Sequence, residues 1–156
     1  MPTRTGKQDP AAKRTAPEKP GLDDRRKLAS WAAECAGRVL AHFETAAPGD
    51  GRPRGAVDAA RAWGGGTSGS PASGWRQAAL AAHAAARQAG HPGAVAAARA
   101  AGHAAATAHM PGHARSAADY AVKSAMAAGG EPAARAEREH QAATLPESLR
   151  VFVHPG

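Results

Sequence analysis

The chain has 156 residues, which fits one domain, and 45 of them are alanine, while isoleucine is absent. Because alanine buries little apolar surface, we expect closely packed helices around a few large side chains rather than a large aliphatic core. The net charge is +7, and a single cysteine, no apolar signal segment and no long apolar run argue against a disulfide framework, secretion and a membrane span. We therefore expect a cytoplasmic protein.

The N-terminal segment differs from the rest of the chain. Residues 1–27 hold eight Lys or Arg against four Asp or Glu, whereas residues 28–156 hold twelve against nine. Residues 1–21 are polar, rich in Pro, Lys and Arg, and have no hydrophobic period. We predict a disordered basic tail over 1–21 and a single helical domain over 22–156.

The first predicted helix follows an N-terminal cap at Asp23 or Asp24 and runs to about Ala46. Its apolar residues recur at the spacing of one helix face. They are Leu28, Trp31, Ala32, Cys35, Val39 and Phe43.

Two further helices are predicted on either side of a Gly/Ser-rich loop. Pro53 suits the first turn of the second helix. Residues 64–74 have the composition of a flexible loop, and Trp75 begins a third helix that continues to Gln88. Gly90 suits a left-handed cap after that helix.

The fourth helix is predicted from about Gly93 to His109, followed by a turn and a fifth helix over about 113–128. The expected buried stripe of the fourth helix is Val95, Ala98, Gly102, Ala106 and His109, and its adjacent polar strip is Arg99, His103 and Thr107.

Downstream of the fifth helix, a sixth helix is predicted to start at Pro132. The segment from Leu145 to Val153 is expected to fold back as a lid, with Val151 and Phe152 among its buried side chains. The fold class is therefore all-α, a compact alanine-rich bundle of five to six helices.

Histidine is the chemically distinctive residue type of this sequence. His103, His109 and His113 could bind a metal or act as acid and base, but residues six apart lie on different faces of a helix, and no HExxH motif is present. We interpret these histidines as helix-end residues that hydrogen-bond to carbonyls or to each other. No cofactor or metal is predicted, although a metal-dependent enzyme remains an alternative.

A single cysteine and a group of arginines are the two other candidate sites. Cys35 lies on an apolar stripe and is interpreted as a buried structural thiol. Arg52, Arg54 and Arg61 form a small basic cluster, so a nucleic-acid-binding or regulatory protein is the alternative function, although a denser basic stripe with stacking aromatics would be expected for it.

Several segments resemble the Imm-5-like group of immunity proteins of bacterial polymorphic toxin systems. They cover about residues 25–150, and GHAAATAH and LPESLR are the parts that composition explains least. The segments are LASWAAECAGRVLAHFE with GRPRGAVDAARAW, ALAAHAAARQA with AVAAARAAGHAAATAHMPGHARSAADYAVK, and EREHQAATLPESLR.

The resemblance implies a non-catalytic cytosolic protein that binds and neutralises a cognate protein toxin. The basic body favours either a toxin other than a nuclease or an acidic surface on the toxin, since complementary charge directs association. The candidate partner-binding residues are Arg99, His103, His109 and His113, and we expect a monomer.

Overall fold

The computed structural model describes residues 19–67 and 72–154, so that most of the predicted tail (1–21) and part of the predicted loop (64–74) lie outside the described residues. Within these ranges the chain is helical and contains no strand, which confirms the all-α bundle. None of the described helices combines the length and the apolar character needed to cross a membrane. The elements are α1 (Leu22–Ala46), α2 (Arg52–Gly64), α3 (Ala72–Gln88), α4 (Pro92–Ala106), α5 (His113–Thr144), a 3-10 turn (Glu147–Leu149) and α6 (Arg150–Val153).

Helix α1 has the predicted C-terminal end and the predicted buried face, but it begins at Leu22, before the predicted cap. Its six apolar positions from Leu28 to Phe43 are all buried. The N-terminal cap is Gly21, and Asp23 and Asp24 lie in the first turn without capping a backbone N–H. Their negative charges still favour the positive end of the helix dipole.

Helix α4 is the central helix of the bundle, because α1, α2, α3 and α5 all pack against it. From Gly93 to Ala108 every residue is buried except Val95, Arg99 and His103. Alanine and glycine make this possible, since small side chains let neighbouring helices approach closely.

The predicted buried stripe of the fourth helix is therefore partly wrong. Val95 is only partly buried and His109 is exposed, whereas Thr107, expected on the polar strip, is fully buried. A helix surrounded on four sides has one narrow open strip rather than one buried stripe. α4 also ends at Ala106, and His109 follows in the turn.

The predicted 64–74 loop is shorter than expected. Gly64 is the last residue of α2, and α3 begins at Ala72, three residues before Trp75. The left-handed cap at Gly90 is also wrong, because the described glycines with positive φ are Gly49, Gly66 and Gly130. The short α3–α4 connection instead passes into His91, which has the extended backbone favoured before proline.

Helix α5 contains both the predicted fifth and sixth helices. Gly130, with φ 71°, separates its two parts. The second part packs on α1, where the indole N–H of Trp31 donates to the Gln141 carbonyl at 3.3 Å and to Thr144 Oγ1 at 3.2 Å. This contact brings the C-terminal part of the chain back onto the bundle.

The lid expected at the C-terminal end is present, with one correction. Leu145, Leu149 and Val153 are buried, whereas Val151 is 43% exposed and Phe152 is only partly buried. Leu149 and Val153 are four residues apart on one helical face, which turns Val151 toward solvent.

Candidate functional site

The open side of α4 forms a cleft between α3 and α5. These two helices each pack on α4 but hardly touch each other. The floor of this α4 cleft consists of the partly exposed residues Val95, Arg99 and His103. Spacings of four residues place all three on the same face of the helix.

A cluster of three histidines and a tyrosine fills one part of the α4 cleft. Nδ1 of His103 lies 2.9 Å from Nδ1 of His113. The ring of His103 also stacks on Tyr120, with 5.3 Å between centroids, and meets the edge of His83 at 5.0 Å. The predicted hydrogen bond between histidines is therefore confirmed for His103 and His113.

The His103–His113 contact requires one nitrogen to donate and the other to accept, so the two Nδ1 atoms cannot both carry a proton. Burial lowers the pKa of His103 to about 4, and the neighbouring charges of His83, His113 and Arg99 act in the same direction. Burial is also the main cause that lowers the pKa values of His83 and His113. The cluster is therefore neutral at physiological pH.

His83 is joined to the cleft floor by Arg99. Nη1 of Arg99 lies 2.8 Å from Nδ1 of His83, and because a guanidinium only donates, the imidazole accepts. This contact fixes the remaining proton of neutral His83 on Nε2. Gly102 lets the ring lie against α4, since a Cβ there would be 2.7 Å from His83 Nε2.

His109 occupies a separate place in the turn after α4. Its ring stacks on Trp75 with 5.3 Å between centroids, and the Arg76 guanidinium lies 5.7 Å from the same indole. The next residue, Met110, is 55% exposed. Of the four residues singled out from the sequence, the structure thus connects Arg99, His103 and His113, and leaves His109 outside their cluster.

Sequence reasoning did not identify His83 and Tyr120 as parts of this group. Both lie far along the chain from His103, and only the packing of α3 and α5 on α4 brings them together. The available signal in the sequence was the presence of an imidazole and an aromatic side chain on the two helices that flank α4.

The helices α3 and α4, which form one wall and the floor of the α4 cleft, carry no acidic side chains. Residues 59–118 contain no Asp or Glu but hold five arginines and five histidines, and they include all of α3 and α4. On the α5 side, the Lys123 ammonium lies 4.7 Å from the centre of the Tyr120 ring. The cleft therefore presents the cations Arg99 on its floor and Lys123 on its α5 wall, while Asp119 of α5 pairs with Arg115.

The basic cluster around α2 is largely neutralised. Arg52 pairs with Asp50 at 2.7 Å, and Arg54 pairs with Glu44 at 2.5 Å. These pairs lower the pKa values of both carboxyl groups, mainly through the arginine hydrogen bonds. The pairing reduces the positive charge available there for nucleic acid.

Cys35 is buried, as predicted, and burial raises the pKa of its thiol. No set of three or more His, Cys, Asp or Glu side chains in residues 19–67 and 72–154 is arranged to hold a metal ion. The polar groups of the α4 cleft instead form hydrogen bonds with each other and leave Arg99 beside an open surface.

Comparison with known proteins identifies the family. No curated protein and no solved structure matches this chain. The family model described as "Imm-5 like putative immunity protein" matches residues 18–148, which extend from the start of the described chain to the 3-10 turn after α5. The match covers well over half of the sequence, and the chain therefore belongs to the Imm-5-like immunity protein family.

Proposed function

We propose that this protein is a cytoplasmic immunity protein that binds a cognate bacterial toxin domain and neutralises it by forming a complex. The observation that carries this proposal is the family match over residues 18–148, which includes α1 to α5 and all of the α4 cleft. The protein acts by binding alone and catalyses no reaction. The hydrogen bonds among the cleft histidines and Arg99 support this role, because they fix the shape of a surface.

The proposed contact residues are Arg99, His103, His109 and His113. Arg99 and the two cluster histidines lie in or beside the open cleft, and His109 is exposed at the turn that follows α4. A guanidinium beside partly buried rings is a common anchor in protein interfaces. The complex is expected to contain one copy of each partner.

Co-expression in a toxin-sensitive bacterium tests the proposal directly. The full chain is expressed with each toxin domain encoded in the source genome, and survival is compared with that of cells carrying an empty vector. Rescue from one toxin, together with a one-to-one complex in light scattering, is the expected result. If no toxin is tolerated better and none binds to the purified protein, the proposal is wrong.

A control separates binding from catalysis. Toxin mixed with excess protein and then released from the complex by denaturation and refolding should regain full activity and unchanged mass. A permanent chemical change in the toxin would contradict neutralisation by complex formation alone.

A further inference from the structure

We infer that the α4 cleft receives an acidic protein surface, whose carboxylates approach Arg87, Arg99 and Lys123 while an apolar side chain enters the groove beside Val95. This inference rests on the proposed function, since it assigns the acidic surface to the toxin domain. It adds α3 and α5 residues that sequence reasoning did not single out, and it defines the chemistry of the partner.

The bundle leaves one side of its central helix uncovered. α4 is covered by four helices along its length, yet the side between α3 and α5 is open. The partly exposed floor runs from Val95 to His103, a distance of about 12 Å at ~1.5 Å per residue. The opening is thus long enough for a strand, a loop or two turns of a partner helix to lie along it.

Part of the same cleft is apolar. At the N-terminal end of α4, a shallow groove is lined by Ala89, His91, Val95, Tyr120, Lys123 and Ala127. On α3, three residues before His83, Leu80 is 63% exposed, the highest value among the exposed large hydrophobic side chains of the described residues. An apolar centre beside charged groups is the usual composition of a protein interface.

The cleft also carries positive charges that are not neutralised within the described residues. Arg87 is exposed on the same helix as His83, and its charge contributes to the lowered pKa of that histidine. Within residues 19–67 and 72–154, Arg38 and Arg54 pair with carboxylates, whereas Arg87, Arg99 and Lys123 take part in no salt bridge, and neither does Arg135 outside the cleft. Carboxylates of a partner would supply the missing opposite charges.

An acidic protein fits these observations better than nucleic acid does. Bases need an open aromatic face for stacking, but His103 covers one side of Tyr120 and His109 covers one side of Trp75. Because the histidines are neutral, the cleft offers Arg87, Arg99 and Lys123 as its cations, fewer than the roughly 6–10 phosphate contacts of a typical DNA-binding protein. Nucleic acid is therefore an outcome that the test must exclude.

The first test maps binding without any toxin. Amide NMR signals of the full chain are followed during titration with a peptide of alternating Glu and Leu residues and, separately, with a twelve-base-pair DNA duplex. We expect the peptide to shift signals from Leu80 to Arg99 and around Lys123. Shifts spread over the whole surface, the absence of peptide binding, or tighter binding of the duplex in the cleft would overturn the inference.

The second test uses charge reversal with a matched control. Arg87→Glu should weaken peptide binding by about tenfold. Arg135→Glu should change it less than twofold, because Arg135 is also exposed and, within the described ranges, forms no salt bridge, but it lies on the second part of α5. Circular dichroism should show both variants folded. Equal weakening by the two reversals would indicate non-specific charge attraction and contradict the inference.

The toxin domain recovered by co-expression provides the final comparison. Arg87→Glu and Leu80→Ser should each weaken its binding about tenfold or more, while Arg135→Glu and Val151→Ser should not. If the toxin binds all four variants equally, the proposed function stands and the cleft assignment is wrong. If the peptide binds in the cleft but no toxin is neutralised, the proposed function fails and the preference of the cleft for acidic protein stands.

Discussion

Gly102 lies directly against the imidazole of His83. A Cβ at position 102 would be 2.7 to 2.9 Å from three atoms of this ring, so the absence of a side chain on α4 allows His83 to lie where Arg99 can donate to its Nδ1. The contact between α3 and α4 at this point depends on a glycine in the middle of a helix, where alanine would otherwise be preferred by about 0.5–1 kcal/mol.

The first prediction concerns this pair. Gly102→Ala should leave the free energy of unfolding unchanged or lower it, because the new methyl group displaces His83 and cancels the gain in helix propensity. In a His83→Ala background the same substitution should instead stabilise the protein by about 0.5–1 kcal/mol. Urea unfolding of the four proteins measures the difference. The same change in both backgrounds would show that the two residues are not coupled.

The second prediction concerns pH. The folded pKa values of His83, His103 and His113 lie below the ordinary value of 6.5, so the unfolded chain binds protons first as the pH falls. Stability from this source is complete well above pH 6.5, begins to fall as the pH approaches 6.5, and is lost as the pH falls toward about 4, where His103 is protonated in the folded state. Urea unfolding at pH 7.5, 6.5 and 5.5 should therefore give steadily lower free energies.

A variant identifies the origin of that pH dependence. His103→Gln removes the most strongly perturbed histidine and should reduce the slope between pH 7.5 and 5.5. The carboxyl groups of Glu44 and Asp50, whose pKa values are lowered, lose their contribution only at more acidic pH. An unchanged slope in His103→Gln would assign the effect to other groups.

The third prediction compares two glycines of α2. At Gly64 a Cβ would collide with Ser30 Oγ and approach the Arg26 carbonyl oxygen to 2.9 Å, whereas at Gly55 it would meet nothing within 4 Å. Gly64→Ala should lower the free energy of unfolding by about 1–3 kcal/mol, because α2 must move away from α1.

Gly55→Ala is the matched control and should raise that free energy by about 0.5–1 kcal/mol. Both substitutions add one methyl group to the same helix. Thermal or urea unfolding that shows the same sign for both would mean that the close approach of α1 and α2 at Gly64 does not limit their packing.

The fourth prediction concerns the C-terminal lid. Leu149 is fully buried, so Leu149→Ala should destabilise the protein by about 2–5 kcal/mol through lost burial and a new cavity. Val151→Ala, at an exposed position two residues away, should change stability by less than about 0.5 kcal/mol. Hydrogen exchange in α1 and α5 should also accelerate only in Leu149→Ala. Similar effects of both substitutions would contradict the orientation of the lid.

The sequence allowed α1 to be predicted closely because its large apolar residues recur on one face and Pro48 follows its end. It was less informative for α4, where alanine at most positions gives almost no contrast between faces. Val95 and His109 were expected to be buried because a single stripe was assumed, yet four neighbouring helices cover every side but one. The number of neighbours is a property of tertiary packing that local periodicity does not contain.

In the candidate site, too, local spacing could be predicted from the sequence, whereas contacts between helices could not. Arg99 and His103 were placed correctly on one helical strip, since their spacing of four residues is local. The contacts with His83 and Tyr120 depend on how α3 and α5 meet α4, and the sequence separations give no indication of them. The acid-free region from residue 59 to residue 118 is visible in the sequence, but its meaning becomes clear only when α3 and α4 are seen to line one cleft.

The near-complete burial of α4 also divides its positions by how freely they can change. From Gly93 to Ala108, larger side chains can be accommodated only at Val95, Arg99 and His103, because every other position points into a neighbouring helix. New recognition chemistry can thus be introduced at three sites on the central helix of the fold without repacking its interior. A lineage of such proteins could follow a changing partner by substitutions at these positions and on the cleft walls while the alanine framework stays the same.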